Sequence, residues 1–198
     1  MNVKKSTIIL IAAVVLIFFM IRGAIGKYNA MVTLEEGVDA SWAQVENVYQ
    51  RRADLIPNLV ATVKGIADFE KETFTAVAEA RSKVSNVNLK GITNNPQAMQ
   101  NFQQSQGQLS GALSKLMVVV ERYPDLKANQ NFLDLQTQLE GTENRIAVER
   151  NRFNKAAQGY NTIIRRFPGS IYAGMFGFER KAYFEGEAGS EIAPQVEF

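Results

Sequence analysis

The chain has 198 residues, a formal net charge of +2, and neither histidine nor cysteine. Without histidine there is no usual general base, no imidazole metal ligand, no Ser-His-Asp arrangement and no Glu-x-x-His pair of a di-iron bundle. Without cysteine there are no disulfides, thiolate metal sites or cysteine nucleophiles, and the near-neutral balance gives no electrostatic case for nucleic acid.

The first element is an apolar helix. Residues 8 to 21 are uninterruptedly apolar, and the run from Ser6 to Ile25 reaches twenty residues, about the length that spans a bilayer. Arg22 near its end can snorkel to the interface. A cleaved signal peptide competes with this reading, since Lys4 and Lys5 precede the apolar stretch and Ala24-Ile25-Gly26 offers a small-x-small site. Arg22 and the bulky Ile25 make that site a poor one, so the sequence favours an uncleaved anchor over residues 1–27, in contact with lipid through residues 6–26. Lys4 and Lys5 before the span, against Arg22 and Lys27 after it, tip the orientation toward an inside amino terminus, with the rest outside the cytoplasm.

The second region, residues 28–166, reads as a bundle. Val38, Trp42, Val45, Tyr49, Arg52, Ile56, Leu59, Val63 and Ile66 alternate at spacings of four and three, the stripe that seams one helix to others. Pro57 interrupts the backbone pattern but not the phase of the stripe. It predicts either a kink or a restart, giving three long helices or four. Asn-rich residues 85–97 form a break. Met99, Phe102, Gln106, Leu109, Leu113, Leu116, Val120 and Tyr123 then form a second stripe, which stops near Pro124. A third runs through Phe132, Leu135, Leu139, Thr142, Ile146, Glu149, Phe153, Ala156, Tyr160, Ile163 and Phe167. A helix over 128–166 would be about 58 Å long. Its acidic start and basic end suit the helix dipole and solvation better than a binding role.

The third region, residues 167–198, is an aromatic, glycine-rich tail. Phe167, Tyr172, Phe176, Phe178, Tyr183, Phe184 and Phe198 are spread among glycines that interrupt any helical period. Such a segment is too apolar to stay solvated. It is expected to lie on the bundle, on a second copy of the chain, or on a partner. Tyr172, Phe176, Phe178, Tyr183 and Phe184 are expected to be buried partly on the bundle and partly at subunit contacts.

Arg52 is the residue that stands out. It occupies a bundle-facing position, and a buried guanidinium is costly unless paired. The sequence offers Glu149 across the bundle and Glu46 or Asp54 locally as its carboxylate. The layer is expected to fix helix register. A carboxylate or phosphate site on Arg51 is the functional alternative. A sensor pocket would have to use the inward Gln106, Thr142 and Glu149. Glu70 and Glu72, the carboxylates an enzyme would draw on, face different sides of a helix.

Several pieces resemble the LemA family of bacterial membrane-anchored helical proteins. They are the apolar start, then "YNAMVTLEEGVDASWAQVENVYQRRADLIPNLVATVKG", "FTAVAEAR" and "YNTIIRRFPGSIYAGMFGFERKAYFE". The resemblance implies an all-α antiparallel bundle on a single-pass anchor, and it implies no catalytic residue, cofactor or metal. Location in the bacterial inner membrane follows from the anchor together with the family. The function expected is assembly through protein–protein contacts, with copies of itself and with a membrane or envelope protein. The alternative is a membrane-bound sensor or adaptor for a ligand or envelope component.

Overall fold

The computed structural model describes residues 5–64 and 71–186. They form helices α1 (Lys5–Lys64), α2 (Lys71–Ser85), α3 (Pro96–Val120), α4 (Pro124–Lys127), α5 (Gln130–Arg165) and α6 (Gly169–Phe176). A single 3₁₀ turn, Ile92–Asn94, leads into α3. The class is all-α, with α1, α3 and α5 as the long members. Ile66, on the first stripe, and Glu70 lie outside the described residues.

The anchor and the first bundle helix are one continuous helix, and Pro57 sits inside it. Pro57 has no N–H to give to the carbonyl of Ala53, one turn back. That carbonyl instead accepts from Arg81 Nε on α2 at 3.2 Å. A guanidinium from the neighbouring helix thus replaces the missing backbone donor, and α1 continues where the sequence alone left a kink or a restart. Arg81→Ala should leave this carbonyl short of a partner and destabilise the bundle by about 1.5–3 kcal/mol. Urea unfolding should show the loss as a lower midpoint at unchanged slope.

Helices α1 and α5 run antiparallel in simple register. Tyr160 reaches Glu35, Phe153 meets Trp42 and Glu143 meets Arg52. Each advance along α1 is matched by an equal retreat along α5. Asn95 and Asn129 cap α3 and α5, their side chains accepting from Ala98 N and Phe132 N. The stripes bury as expected along α1 and α3, with Tyr123, just before α4, half-buried. Along α5 the buried line shifts after Phe153 onto Ala157, Tyr160, Asn161 and Ile164. Ala156 and Ile163 become half-buried, while Phe167 lies past the end of α5, exposed in the turn before α6. A straight helix drifts by about 20° per heptad, and this accounts for the shift.

The interior divides into two apolar clusters. One holds Met31, Trp42, Tyr49, Phe102, Phe153, Tyr160 and Phe184; the other holds Ile56, Leu59, Phe74, Leu109, Leu116 and Phe132. Helix α2 covers the second. The tail is more ordered than its glycines suggest: residues 169–176 form α6, and the chain then extends to residue 186. Gly169 allows α6 to close on α5, because a Cβ there would fall 2.2 Å from the Ile163 carbonyl oxygen.

From Thr7 onward α1 is long and apolar enough to cross a membrane, and its most apolar window is entirely unburied. This fits a single-pass anchor.

Candidate functional site

Arg52 lies between the two clusters and is 2% exposed. Its partner is Glu143, not Glu149: Nη1 donates to Glu143 Oε1 at 2.5 Å and to Ser110 Oγ at 3.0 Å. Nη2 donates to Gln106 Oε1, and the guanidinium carbon stands 5.2 Å from the Tyr49 ring centroid. The two local candidates are engaged elsewhere. Glu46 accepts from Trp42 Nε1 at 2.8 Å, and Asp54 accepts from Gln50 at 2.8 Å. Glu149 accepts instead from Arg152, one turn along, at 2.7 Å. The reason is geometric. Glu143 is half-exposed beside the stripe, so its carboxylate enters the layer while keeping contact with water. An ion pair with one solvated member pays a smaller desolvation penalty than a wholly buried one.

Each long helix contributes one buried polar residue at this level, Arg52 from α1, Gln106 from α3 and Thr142 from α5, with the half-buried Ser110 and Glu143 beside them. Thr142 returns its hydroxyl to the Gln138 carbonyl at 2.7 Å. Arg51 faces solvent, as does Glu72.

Beside this layer opens a cleft of about 700 Å³ between α3, α5 and residues 185–186 of the tail. Amides dominate its wall: Gln97, Gln100, Asn101, Gln103, Gln104 and Gln106, with Arg52, Glu143, Arg150 and Glu185 among them. Two buried donors, Arg52 Nε and Gln103 Nε2, have no hydrogen-bond partner among the described residues. Buried unpartnered donors are uncommon in folded proteins. Both belong to residues that line the cleft.

The tail arrives at the cleft as an extended strap, held by side-chain amides of α5. Asn161 accepts from Lys181 N at 2.9 Å and donates to Lys181 O at 2.8 Å. Asn154 does the same for Phe184, at 2.9 Å for both bonds. Asn154 and Asn161 are seven helical residues apart, about 10.5 Å at 1.5 Å each. Lys181 and Phe184 are three extended residues apart, about 10 Å at 3.3 Å each. Two asparagines at that spacing therefore meet the strap in register. Arg150 Nη2 donates to the Glu185 carbonyl at 2.9 Å, and Glu185 N reaches Gln103 Oε1 at 3.4 Å. Between these anchors Phe184 is buried against Trp42, Phe102 and Phe153, with centroids 5.5–6.4 Å away. The asparagine pair went unread in the sequence, although two amides seven apart on one helix are a visible signal.

Lys181 is buried as well. Its ammonium lies 2.9 Å from Glu35 Oε1 and 5.5 Å from the Tyr160 ring centroid. Burial, and then the negative charge of Glu35, push the Tyr160 hydroxyl well above the ordinary phenol range. It stays protonated and donates to Glu35 at 3.5 Å. Of the tail aromatics, Tyr172 and Phe178 are half-buried on the bundle, while Phe176 and Tyr183 are more exposed.

Comparison with known proteins agrees with this architecture. Magnetosome protein MamQ of Magnetospirillum gryphiswaldense is 30% identical over 190 residues, covering 86% of this chain and 70% of the relative. Magnetosome protein MamQ 2 of Paramagnetospirillum magneticum is 27% identical over 208 residues, covering 95% and 76%. Protein LemA of Metamycoplasma hominis is 23% identical over 143 residues, covering 72% and 62%. Residues 41–198, which contain the Arg52 layer, the amide cleft and the strap, match the LemA family, and the chain is a member of that family.

Proposed function

We propose that this protein is a membrane-anchored assembly protein that acts through protein–protein contacts, self-associates, and carries out no catalysis. The amide-lined cleft carries the reading. Each Gln or Asn side chain both donates and accepts, so such a wall suits the alternating N–H and C=O groups of an extended polypeptide. The strap beside it is already held that way by Asn154, Asn161 and Gln103. The charged groups at the bundle centre are engaged in ion pairs with one another, and the Tyr160 hydroxyl is held protonated. The anchor keeps copies at high local concentration, which favours self-association. In this reading the anchor lies in the bacterial inner membrane with the bundle outside the cytoplasm. The segment bound in the cleft comes from another copy or from a second membrane or envelope protein.

A second reading draws on the same cleft. Its volume of about 700 Å³ and its polar wall suit a small polar ligand, as a sensor would need. A photo-crosslinking residue placed at Gln100 and activated in intact membranes separates the two. Adducts to another polypeptide, or between two copies of the chain, support assembly, whereas a link within one copy is what the neighbouring strap alone would give. Adducts to small molecules alone would overturn it in favour of the sensor.

A further inference from the structure

Helix α6 leaves a large apolar stripe uncovered. Ile171 and Met175, one turn apart on α6, are 53% and 70% exposed, and Phe167, in the turn just before the helix, is 82% exposed. The opposite face, through Gly169 and Ala173, is buried on the bundle. Phe176 next to the stripe is also half exposed. Isolated exposed apolar residues need no explanation, but a contiguous stripe does.

The position of α6 relative to the anchor bears on what covers the stripe. Its inner face meets α1 just where α1 leaves its apolar segment. Tyr28 makes ring contacts with Phe176 and Phe178 at 5.0 and 5.6 Å, and Met31 lies against Gly169. The exposed apolar run of α1 ends at Ile25. Tyr28 and Met31 follow it by three and six residues, about 5–9 Å along the helix. The interfacial layer of a bilayer is about 5–8 Å deep on each side of the hydrocarbon. If α1 is the anchor, α6 is therefore at headgroup depth. The polar groups around it suit that level. Lys27 and Arg166 flank a small cleft beside Phe167, Arg165 is exposed, and Tyr28 is of the type enriched at membrane interfaces.

We infer that α6 is a second membrane contact. It lies in the bilayer interface beside the anchor, with Phe167, Ile171 and Met175 in the acyl boundary and Lys27, Arg165 and Arg166 against anionic headgroups. This inference rests on the anchor reading. It adds that the bundle is held at a fixed tilt and rotation by two points and does not pivot freely on one helix.

The absence of cysteine allows single-site labelling of the full chain. Ile171→Cys, Met175→Cys, Phe18→Cys and Gln136→Cys would each carry a nitroxide, in vesicles of phosphatidylcholine with phosphatidylglycerol. Collision with oxygen, which concentrates in lipid, is compared with collision with a water-soluble nickel chelate. Labels at 171 and 175 should be at least several-fold richer in oxygen collisions, relative to nickel, than the label at 136. They should move toward water when Lys27, Arg165 and Arg166 are changed to Gln. Nickel access at 171 and 175 with lipid access at 18 would overturn the inference alone. Water at 18 as well would sink the anchor reading and the inference with it. Shielding of 171 and 175 from both reagents would mean that protein, such as a second copy, covers the stripe, and this too would overturn it.

Discussion

Arg52→Ala should destabilise the bundle by about 3 kcal/mol, the low end for breaking a buried pair. Three losses combine. Gln106 loses its donor inside the core, and a buried amide without a partner costs about 1–3 kcal/mol. Ser110 loses a second bond. A void opens where two apolar clusters meet. Glu143 limits the damage, because its 44% exposed side chain can turn to water. Glu143→Gln should accordingly cost less, about 1 kcal/mol, and Arg51→Ala, on the solvated face, under about 1 kcal/mol. Urea titration followed by helical circular dichroism checks all three. Equal, small losses for Arg51 and Arg52 would refute a structural polar layer. The layer also bears on specificity: heptad stripes allow neighbouring helices to slip, and one polar level shared by three helices penalises every other register.

Phe184→Ala should cost about 3 kcal/mol and free the strap. Phe→Ala in a core costs about 3–5 kcal/mol, and Phe184 fills a ring cluster with Trp42, Phe102 and Phe153. The strap can peel away without unfolding the helices, which keeps the loss at the lower end. Detachment has its own readout. Lys181 is buried in the intact protein, so limited trypsin digestion should cut there in the variant and hardly at all in the parent. Asn154→Ala with Asn161→Ala should give the same cleavage with the aromatic cluster intact. That outcome would show that the amide pairs, and not only Phe184, hold the strap. Continued protection in both variants would contradict the account of the strap.

The sequence made the helices legible through spacing. The stripes on α1 and α3 are buried nearly residue for residue, and Arg52 was recognisable as buried because it sits on one of them. Its partner was not, because Glu143 lies one position off its own stripe and enters from the side, whereas spacing points to Glu149. The continuity of α1 past Pro57 was hidden for a similar reason. The group that fills the Ala53 carbonyl belongs to α2, and no local pattern shows it. Helix α6 was masked by glycines, yet Gly169 is there for close approach to α5 and not as a helix breaker. Phe167 is outside because α5 ends at Arg165, before it, and the late drift of the α5 stripe brought Asn161 inward to hold the strap. The cleft is the least legible feature: spacing marked Gln106 as inward, but Gln97, Gln100, Gln103 and Gln104 lie off the stripe and carry no pattern of their own.

Native mass spectrometry of the full-length protein, released from lipid nanodiscs without detergent exchange, tests the assembly claim most directly. The account predicts a defined oligomer, with dissociation promoted by substitutions in the amide cleft such as Gln100→Ala with Gln104→Ala. A monomer at every workable concentration, with the cleft intact, would contradict it.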